Sequence, residues 1–391
     1  LPFVECLDIC SLYRRFIDQT PFIMPPPEPA TLKSFGFSGF FLTALLSSLS
    51  YFNVDTYRLT TRFNALQSLF TLNQTEIDRF MASYALFDGD WSNDNGKSEA
   101  QIVDYYHVLN HLCALGNVEK MYIPPFMDGS VNLAANQELF ERKMMEDIGL
   151  TLDGNNDDKN VLELGCGRGR ISAHTARETG AHVFGMNIDP SQIANAKSYA
   201  EHTGLGNRTD FRVQSFNDLP FPFPDNYFDA SYQVQAFSYA LDKEALFKEI
   251  YRVLKPGAKF SYLDWVLLDA FEPGNKEHEK AIRHLTPLLG AVDTVHYKEV
   301  EDAMKKAGFK ILLSEEASRG EKGIQGPLIQ TERETFAWVG TFSKYFLPKR
   351  FTMMLERMDE GVQTFIDVDE MRLGTTSYQI VLEKPGAQCD A

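Results

Sequence analysis

Three glycines at alternate positions, Gly165, Gly167 and Gly169, follow directly on the apolar run Val161-Leu-Glu-Leu164, which carries one acidic residue, Glu163. A short apolar run of this kind reads as a strand buried on both faces. Glycines at its end let the backbone turn tightly and come within hydrogen-bonding distance of a ligand. Residues 170–178 then have helical character. Strand, glycine loop and helix open a nucleotide-binding α/β unit, and spacing bears on which nucleotide it takes. Dinucleotide sites read G-x-G-x-x-G, whereas this loop reads G-x-G-x-G. At the end of the second strand, where an acid commonly holds ribose hydroxyls, the sequence has Asn187, with Asp189 two residues later.

A loop of this type works at the carboxyl edge of a sheet, and from residue 160 onward the sequence alternates as such a sheet requires. Strands are predicted at 161–164, 182–187, 209–214, 228–233, 259–266, 309–314 and 377–383, with helices at 170–178, 191–202, 243–253 and 297–307. The expected fold is therefore α/β, a mostly parallel seven-stranded sheet covered on both faces. Segments 233–241, 267–294 and a helical insertion at about 315–376 leave the carboxyl ends and are placed to form a lid over an enclosed pocket. Within the insertion, Trp338, Phe346, Phe351, Met353 and Met354 read as ordinary helix packing or as an apolar pocket wall. Upstream, Asn73 begins a capped helix and 136–148 keeps apolar residues on a helical repeat. The expected division is an N-terminal extension at 1–75, a helical cap over cofactor and substrate at 76–150, and a binding core at 151–391.

With 391 residues and 44% hydrophobic content, the protein is large enough to bury a sizeable core. A formal net charge of −16 gives no electrostatic footprint for nucleic acid. Five cysteines, Cys6, Cys10, Cys113, Cys166 and Cys389, are few and scattered, which fits a reducing, cytoplasmic setting and no metal site. Residues 35–52 form an 18-residue run without a charge. It is long enough for about 27 Å of helix, but serines, glycines and a threonine dilute it, and its place after Pro25-Pro26-Pro27 does not suit an ordinary signal peptide. A helix packed on the domain is the first reading and peripheral attachment to a membrane the second. A homodimer also stays open.

The blocks VLELGCGRG, GMNIDPSQIANAKSYAEHTGL, SFNDLPF, FDASYQVQA, EIYRVLKPG and LDWVLLDAFEPGNKEHEKAIRH carry a more specific signal. Through them, over about 85–385, the sequence resembles the S-adenosylmethionine-dependent methyltransferases, and among these the sterol 24-C-methyltransferases. The resemblance implies a Rossmann-like class I methyltransferase fold, a methyl-transferring enzyme, S-adenosyl-L-methionine as cofactor with S-adenosyl-L-homocysteine as its product, and no metal. It implies that Gly165, Gly167 and Gly169 face the methionine moiety and that Glu163 supports its ammonium. Asn187 and Ile188 would take the ribose and adenine edge with Gln192 nearby, and Ser215 and Phe216 would meet the adenine. Gln233 and Val234 would line the floor beneath the sulfonium, and Ser130 and Asn132 would reach the methionine carboxylate.

The sequence departs from the sterol pattern at two places. The segment Tyr-Glu-Tyr-Gly-Trp-Gly gives way to residues 107–125, and Glu-Ala-Thr-Cys-His reads Gln235-Ala-Phe-Ser-Tyr239. The acid that usually starts the third motif is Ser215. Methylating an alkene generates a carbocation that needs aromatic or anionic stabilisation, whereas a nitrogen or oxygen lone pair needs mainly positioning and a route for one proton. With Gln235 in place of an acid, the expectation is N- or O-methylation of a hydrophobic natural product, such as a lipophilic amine or lipopeptide of secondary metabolism. The alternatives are methylation at carbon on the side arm of a sterol, and a non-catalytic, cofactor-binding protein. Candidates to take or orient a proton are His107, Tyr122, Tyr239 and Asp264, with His111 and His278 behind them. Tyr122 lies beside Pro124, Pro125 and Phe126, a mouth-like composition, and Asp264 precedes Trp265 at the end of the fifth strand.

Overall fold

The computed structural model describes residues 56–87, 97–115, 118–319, 325–330 and 361–386. The apolar run 35–52 and the aromatic stretch of the insertion, 331–360, lie outside the described residues. Leu1–Thr61 and Arg62–Ala391 are two compact units, and the site belongs to the second.

The elements in order are α1 (Thr56–Thr71), α2 (Gln74–Ser83), α3 (Lys97–Leu115), α4 (Leu133–Asp147), β1 (Asn160–Leu164), α5 (Arg170–Thr179), β2 (His182–Asn187), α6 (Pro190–His202) and β3 (Thr209–Val213). They continue through β4 (Phe228–Val234), α7 (Lys243–Val253), β5 (Leu254–Leu267), α8 (Lys276–Leu289), α9 (Tyr297–Lys306), β6 (Lys310–Glu316) and β7 (Gly374–Glu383). The seven strands pair in the order β3-β2-β1-β4-β5-β7-β6. All neighbours are parallel except β7, which runs antiparallel between β5 and β6. The order reverses between β1 and β4, and that reversal opens a crevice at the strands' carboxyl ends, where ligands of such sheets bind.

Each face of the sheet buries its own apolar layer. Leu162, Leu164, Phe247, Ile250, Phe260 and Tyr262 pack in one, and Val161, Phe140, Met144, Met145, Tyr232 and Leu263 in the other. Removing each such group from water contributes about 1.5–3 kcal/mol. A third cluster joins Phe80 of α2 and Tyr105 and Val108 of α3 to Tyr239, which follows β4, so the upstream helices are anchored at the crevice itself. Both helices that border the crevice start where their sequence dictates. Asp189 caps α6 through Ser191 N–H at 2.7 Å, with Pro190 in the first turn, and Gly169 begins α5 at φ 70°.

Gly169 is a packing residue. A Cβ there would lie 2.7 Å from Ala196 Cβ and 2.8 Å from the Phe211 ring, so the start of α5 sits directly on α6 and β3. Gly169→Ala is expected to destabilise the fold by about 2–4 kcal/mol, combining the left-handed backbone with overpacking. Urea unfolding measures this, and an unchanged midpoint would contradict the packing.

Candidate active site

A cleft opens at the carboxyl ends of β1, β2, β3 and β4. Gly165 and Gly167 form its tightest turn, at φ 74° and 51°. A Cβ on Gly165 would lie 2.5 Å from Ala236 Cβ, so only glycine lets β1 end against the turn after β4. Beside the loop, Asn187 Nδ2 and Asp189 Oδ2 are buried with no hydrogen-bond partner among the described residues, although Asp189 Oδ1 is engaged in the α6 cap. Leaving a buried polar atom unpaired costs about 1–3 kcal/mol, a cost that a ligand with adjacent hydroxyls would remove by donating to the acid and accepting from the amide. Ile188 and Phe216 line the same part of the cleft and give it an apolar surface suited to a flat base. Glu163 also lines it. Its carboxyl is 2% exposed and bonded to Ser172 Oγ and, at 3.1 Å, Tyr232 OH; burial pushes its pKa up to about 8. A carboxyl so placed favours a cationic partner, and these donors and acceptors fit S-adenosylmethionine.

The roof is a strap of irregular backbone, residues 118–126, held by side chains from four directions. Arg168 donates to the carbonyls of Val118 and Glu119, the latter at 2.9 Å, and Arg170 pairs with Glu119 at 2.7 Å. From α4, Gln137 Nε2 donates to the Lys120 and Tyr122 carbonyls at 3.2 and 2.9 Å. Glu141, fully buried, accepts from Lys120 Nζ at 2.6 Å, from Tyr122 OH at 2.8 Å and from His174 Nδ1. Burial opposes its ionisation, but His174 and Lys120 outweigh that and hold its pKa below the usual range. Gln235 accepts from Ile123 N–H at 3.1 Å and donates to Ile123 O at 2.7 Å and Thr376 O at 2.9 Å. Gln325 Nε2 closes the far end on Pro124 O at 2.6 Å.

Of the residues expected to hold the cofactor, Glu163, Gly165, Gly167, Asn187, Ile188, Gln192, Ser215, Phe216 and Val234 line the cleft. Four others do not. Besides Gly169, Gln233 is fully buried and folds the turn after β4, donating to Leu263 O at 3.2 Å and accepting from Ala236 N–H at 3.0 Å. Ser130 is exposed and bonded to Asp128 at 2.7 Å, and Asn132 caps α4 through Ala135 N–H at 3.0 Å. The cations in the lining are Lys120, Arg168 and Arg170.

Of the proton-transfer candidates, Tyr122 and Tyr239 line the cleft, while His107, Asp264, His111 and His278 do not. Tyr122 is a strut for the strap: its OH donates to Glu141 at 2.8 Å, and burial and the Glu141 carboxylate raise its pKa well above the phenol range. Tyr239 is buried with its OH 3.4 Å from Tyr106 OH, and burial raises its pKa too. Asp264 takes the N–H groups of Phe237 and Trp265, each at 2.8 Å, and burial moves its pKa up to about 6, so it anchors the turn from behind. His107 stands half-exposed, 3.9 Å from Glu76, and His278 accepts from Glu272 N–H at 3.2 Å. Sequence reasoning missed Glu99, Tyr106, Lys120 and Arg168 as parts of the site. Arg168 stands within the glycine loop and was legible there, whereas the other three arrive through tertiary packing.

The sheet, the glycine loop and the cleft give the domain the class I methyltransferase fold, and the polar groups of the cleft suit S-adenosylmethionine. Residues 162–262 match the family described as methyltransferase domain. The protein is 35% identical over 164 residues to the sterol 24-C-methyltransferase of Saccharomyces cerevisiae, covering 42% of each sequence. It is 30% identical over 235 residues to sterol methyltransferase-like 2 of Botryococcus braunii, covering 58% of this sequence and 60% of that one. The match thus spans less than two thirds of the length of these curated relatives. Among solved structures, the [4+2]-cyclase SpnF superposes with a TM-score of 0.58 at 20% identity, over 74% of this protein and 97% of that one. Geranyl diphosphate C-methyltransferase from Streptomyces coelicolor superposes with a TM-score of 0.56 at 15% identity, over 74% and 98%. The domain is sterol-methyltransferase-like in sequence. Among the described residues, no group of three or more acidic, histidine or cysteine side chains is placed to hold a metal, and no helix is long and apolar enough to cross a membrane.

Gln235 decides how the roof is attached. At φ 51° its backbone is strained, and only an amide can both accept from and donate to the Ile123 peptide while reaching Thr376 O. Gln235→Glu removes both donated bonds and is expected to cost about 2–3 kcal/mol, read from urea unfolding. Undiminished stability would show that the clip does not hold the strap.

Proposed function

We propose that the protein transfers the methyl group of S-adenosylmethionine to a lipophilic acceptor, and that the atom methylated is an alkene carbon. The observation that carries this reading is the apolar and aromatic part of the cleft lining, Ile102, Tyr106, Met121, Phe216, Val234 and Tyr239. Burial raises the pKa of both Tyr106 and Tyr239, so both phenols are neutral and offer π faces and hydroxyl dipoles. Bound S-adenosylmethionine supplies an electrophilic methyl group. An alkene that accepts it, with release of S-adenosylhomocysteine, would be left with a positive charge on the neighbouring carbon until a C–H proton is lost to a base, and each well-placed ring face would stabilise that charge by about 0.5–2 kcal/mol. The names of the relatives, sterol 24-C-methyltransferases and sterol methyltransferase-like proteins, support the same acceptor class. A helical cap at 76–150 over a core from 151, acting in secondary metabolism, belongs to the same proposal.

N- or O-methylation of a lipophilic amine or lipopeptide becomes the second reading. The expectation for it rested on Gln235 standing in place of an acid, and Gln235 does line the cleft, with its amide bonded to Ile123 and Thr376. What favours it is Asp264, a buried carboxyl whose charge acts on Tyr106 and Tyr239 and whose pKa burial moves up to about 6.

Purified protein with methyl-labelled cofactor, offered sterols with a double bond in the side arm, linear isoprenoid alkenes, lipophilic amines and phenols, separates the readings. Label is expected on the alkenes; label on amines or phenols alone overturns the carbon reading, and cofactor binding without any turnover supports the non-catalytic one. Tyr106→Leu is expected to lower kcat about tenfold or more while leaving the cofactor KM unchanged, as loss of a desolvated ring face implies. An unchanged kcat would remove Tyr106 from the chemistry.

A further inference from the structure

Glu99, Ile102 and Tyr106 lie three and four residues apart on α3, and all three line the cleft, so one face of the cap helix serves the site. Glu99 is half-buried, and its Oε1 accepts hydrogen bonds from Ser215 Oγ at 2.7 Å and Asn217 Nδ2 at 3.3 Å. Ser215 Oγ accepts in turn from Asn217 N–H at 3.1 Å, and Asn217 Nδ2 also donates to Tyr239 O at 3.1 Å. Two side-chain donors of the loop after β3, Ser215 Oγ and Asn217 Nδ2, are therefore engaged in fixing Glu99. Oε2 of Glu99 carries no hydrogen bond among the described residues, so the loop presents a carboxylate that comes from α3, with acceptor capacity to spare.

The neighbours say what that acceptor faces. The unpartnered Asn187 Nδ2 and Asp189 Oδ2 mark the place for a ribose, and Ile188 and Phe216 supply the apolar surface beside it. A base attached to that ribose, lying between Ile188 and Phe216, brings its polar edge to Ser215 and Glu99. A carboxylate only accepts hydrogen bonds, so it selects a base edge with an amino group and disfavours one with a carbonyl. We propose that Glu99 reads the exocyclic amino group of the cofactor's adenine, a recognition delivered by the cap helix in place of the loop that ends β3. The proposal rests on the S-adenosylmethionine reading of the cleft. Because Tyr106 stands on the same helix, the base and the acceptor wall are then fixed by one element.

The test compares S-adenosylhomocysteine with its 6-oxo analogue, S-inosylhomocysteine, by titration calorimetry on the full-length protein and on the variants Glu99→Gln and Glu99→Ala. The unsubstituted protein is expected to prefer the adenosyl compound about 10- to 100-fold, the range of a hydrogen bond to a charged group. Both variants are expected to bring that preference to within about threefold, since neither retains an obligate acceptor. Glu99→Gln, which keeps the side-chain shape, carries the test if Glu99→Ala fails to fold. A preference that survives in Glu99→Gln, or one absent from the unsubstituted protein, overturns the role of Glu99 while leaving the cofactor reading intact. Failure of the unsubstituted protein to bind S-adenosylhomocysteine overturns both.

Discussion

The site depends on a carboxyl group kept out of water. Glu163 stands inside β1, directly before the glycine loop, and is 2% exposed. Desolvation is the largest influence on it and exceeds the help it receives from Ser172 and Tyr232. Glu141, a second buried carboxylate, pushes in the same direction. Without a cationic partner, Glu163 therefore holds a proton at neutral pH. The glycines, the start of α5 and the turn after β4 are packed tightly enough to keep it dry, which primes the loop for a ligand that carries positive charge.

A roof lies beside that loop, and it is held by polar side chains reaching for backbone. Gln137, Gln235, Gln325 and Arg168 all bond to main-chain groups of the strap, and Glu141 gathers Lys120, Tyr122 and His174 at one point. A buried network of this kind stabilises only when every member is satisfied, so it specifies one position for the strap. Tyr122 and Gln235 are fully occupied by this task.

The core could be read from the sequence because local rules agree with the global fold there. Apolar strands alternate with capped helices from β1 to β5, and glycines sit where the backbone turns at positive φ. Nine of the expected cofactor residues line the cleft for the same reason, since the ends of parallel strands are fixed by topology. The roof was illegible. Gln235 clips Ile123 across 112 residues of sequence, and Glu99 meets Ser215 across 116, through bonds that any amide or carboxylate could make. Ser130 and Asn132 misled for the opposite reason: their side chains turn locally, into an Asp128 bond and a helix cap, uses common for such residues in loops.

The buried carboxyl of Glu163 suits a cationic cofactor, and on the proposed reading binding exchanges its proton for that cation. Its carboxyl pKa stands at about 8, above the ordinary value, so at lower pH the proton must leave before the group can face the cofactor's ammonium. Affinity for S-adenosylhomocysteine, titrated calorimetrically, should then rise with pH by up to about tenfold per unit between about 6 and 8, with release of a proton. Glu163→Gln, which has no proton to lose, should give a flat profile over the same range. Parallel pH profiles for the two proteins, or binding of the unsubstituted protein that does not change with pH, would contradict the central claim.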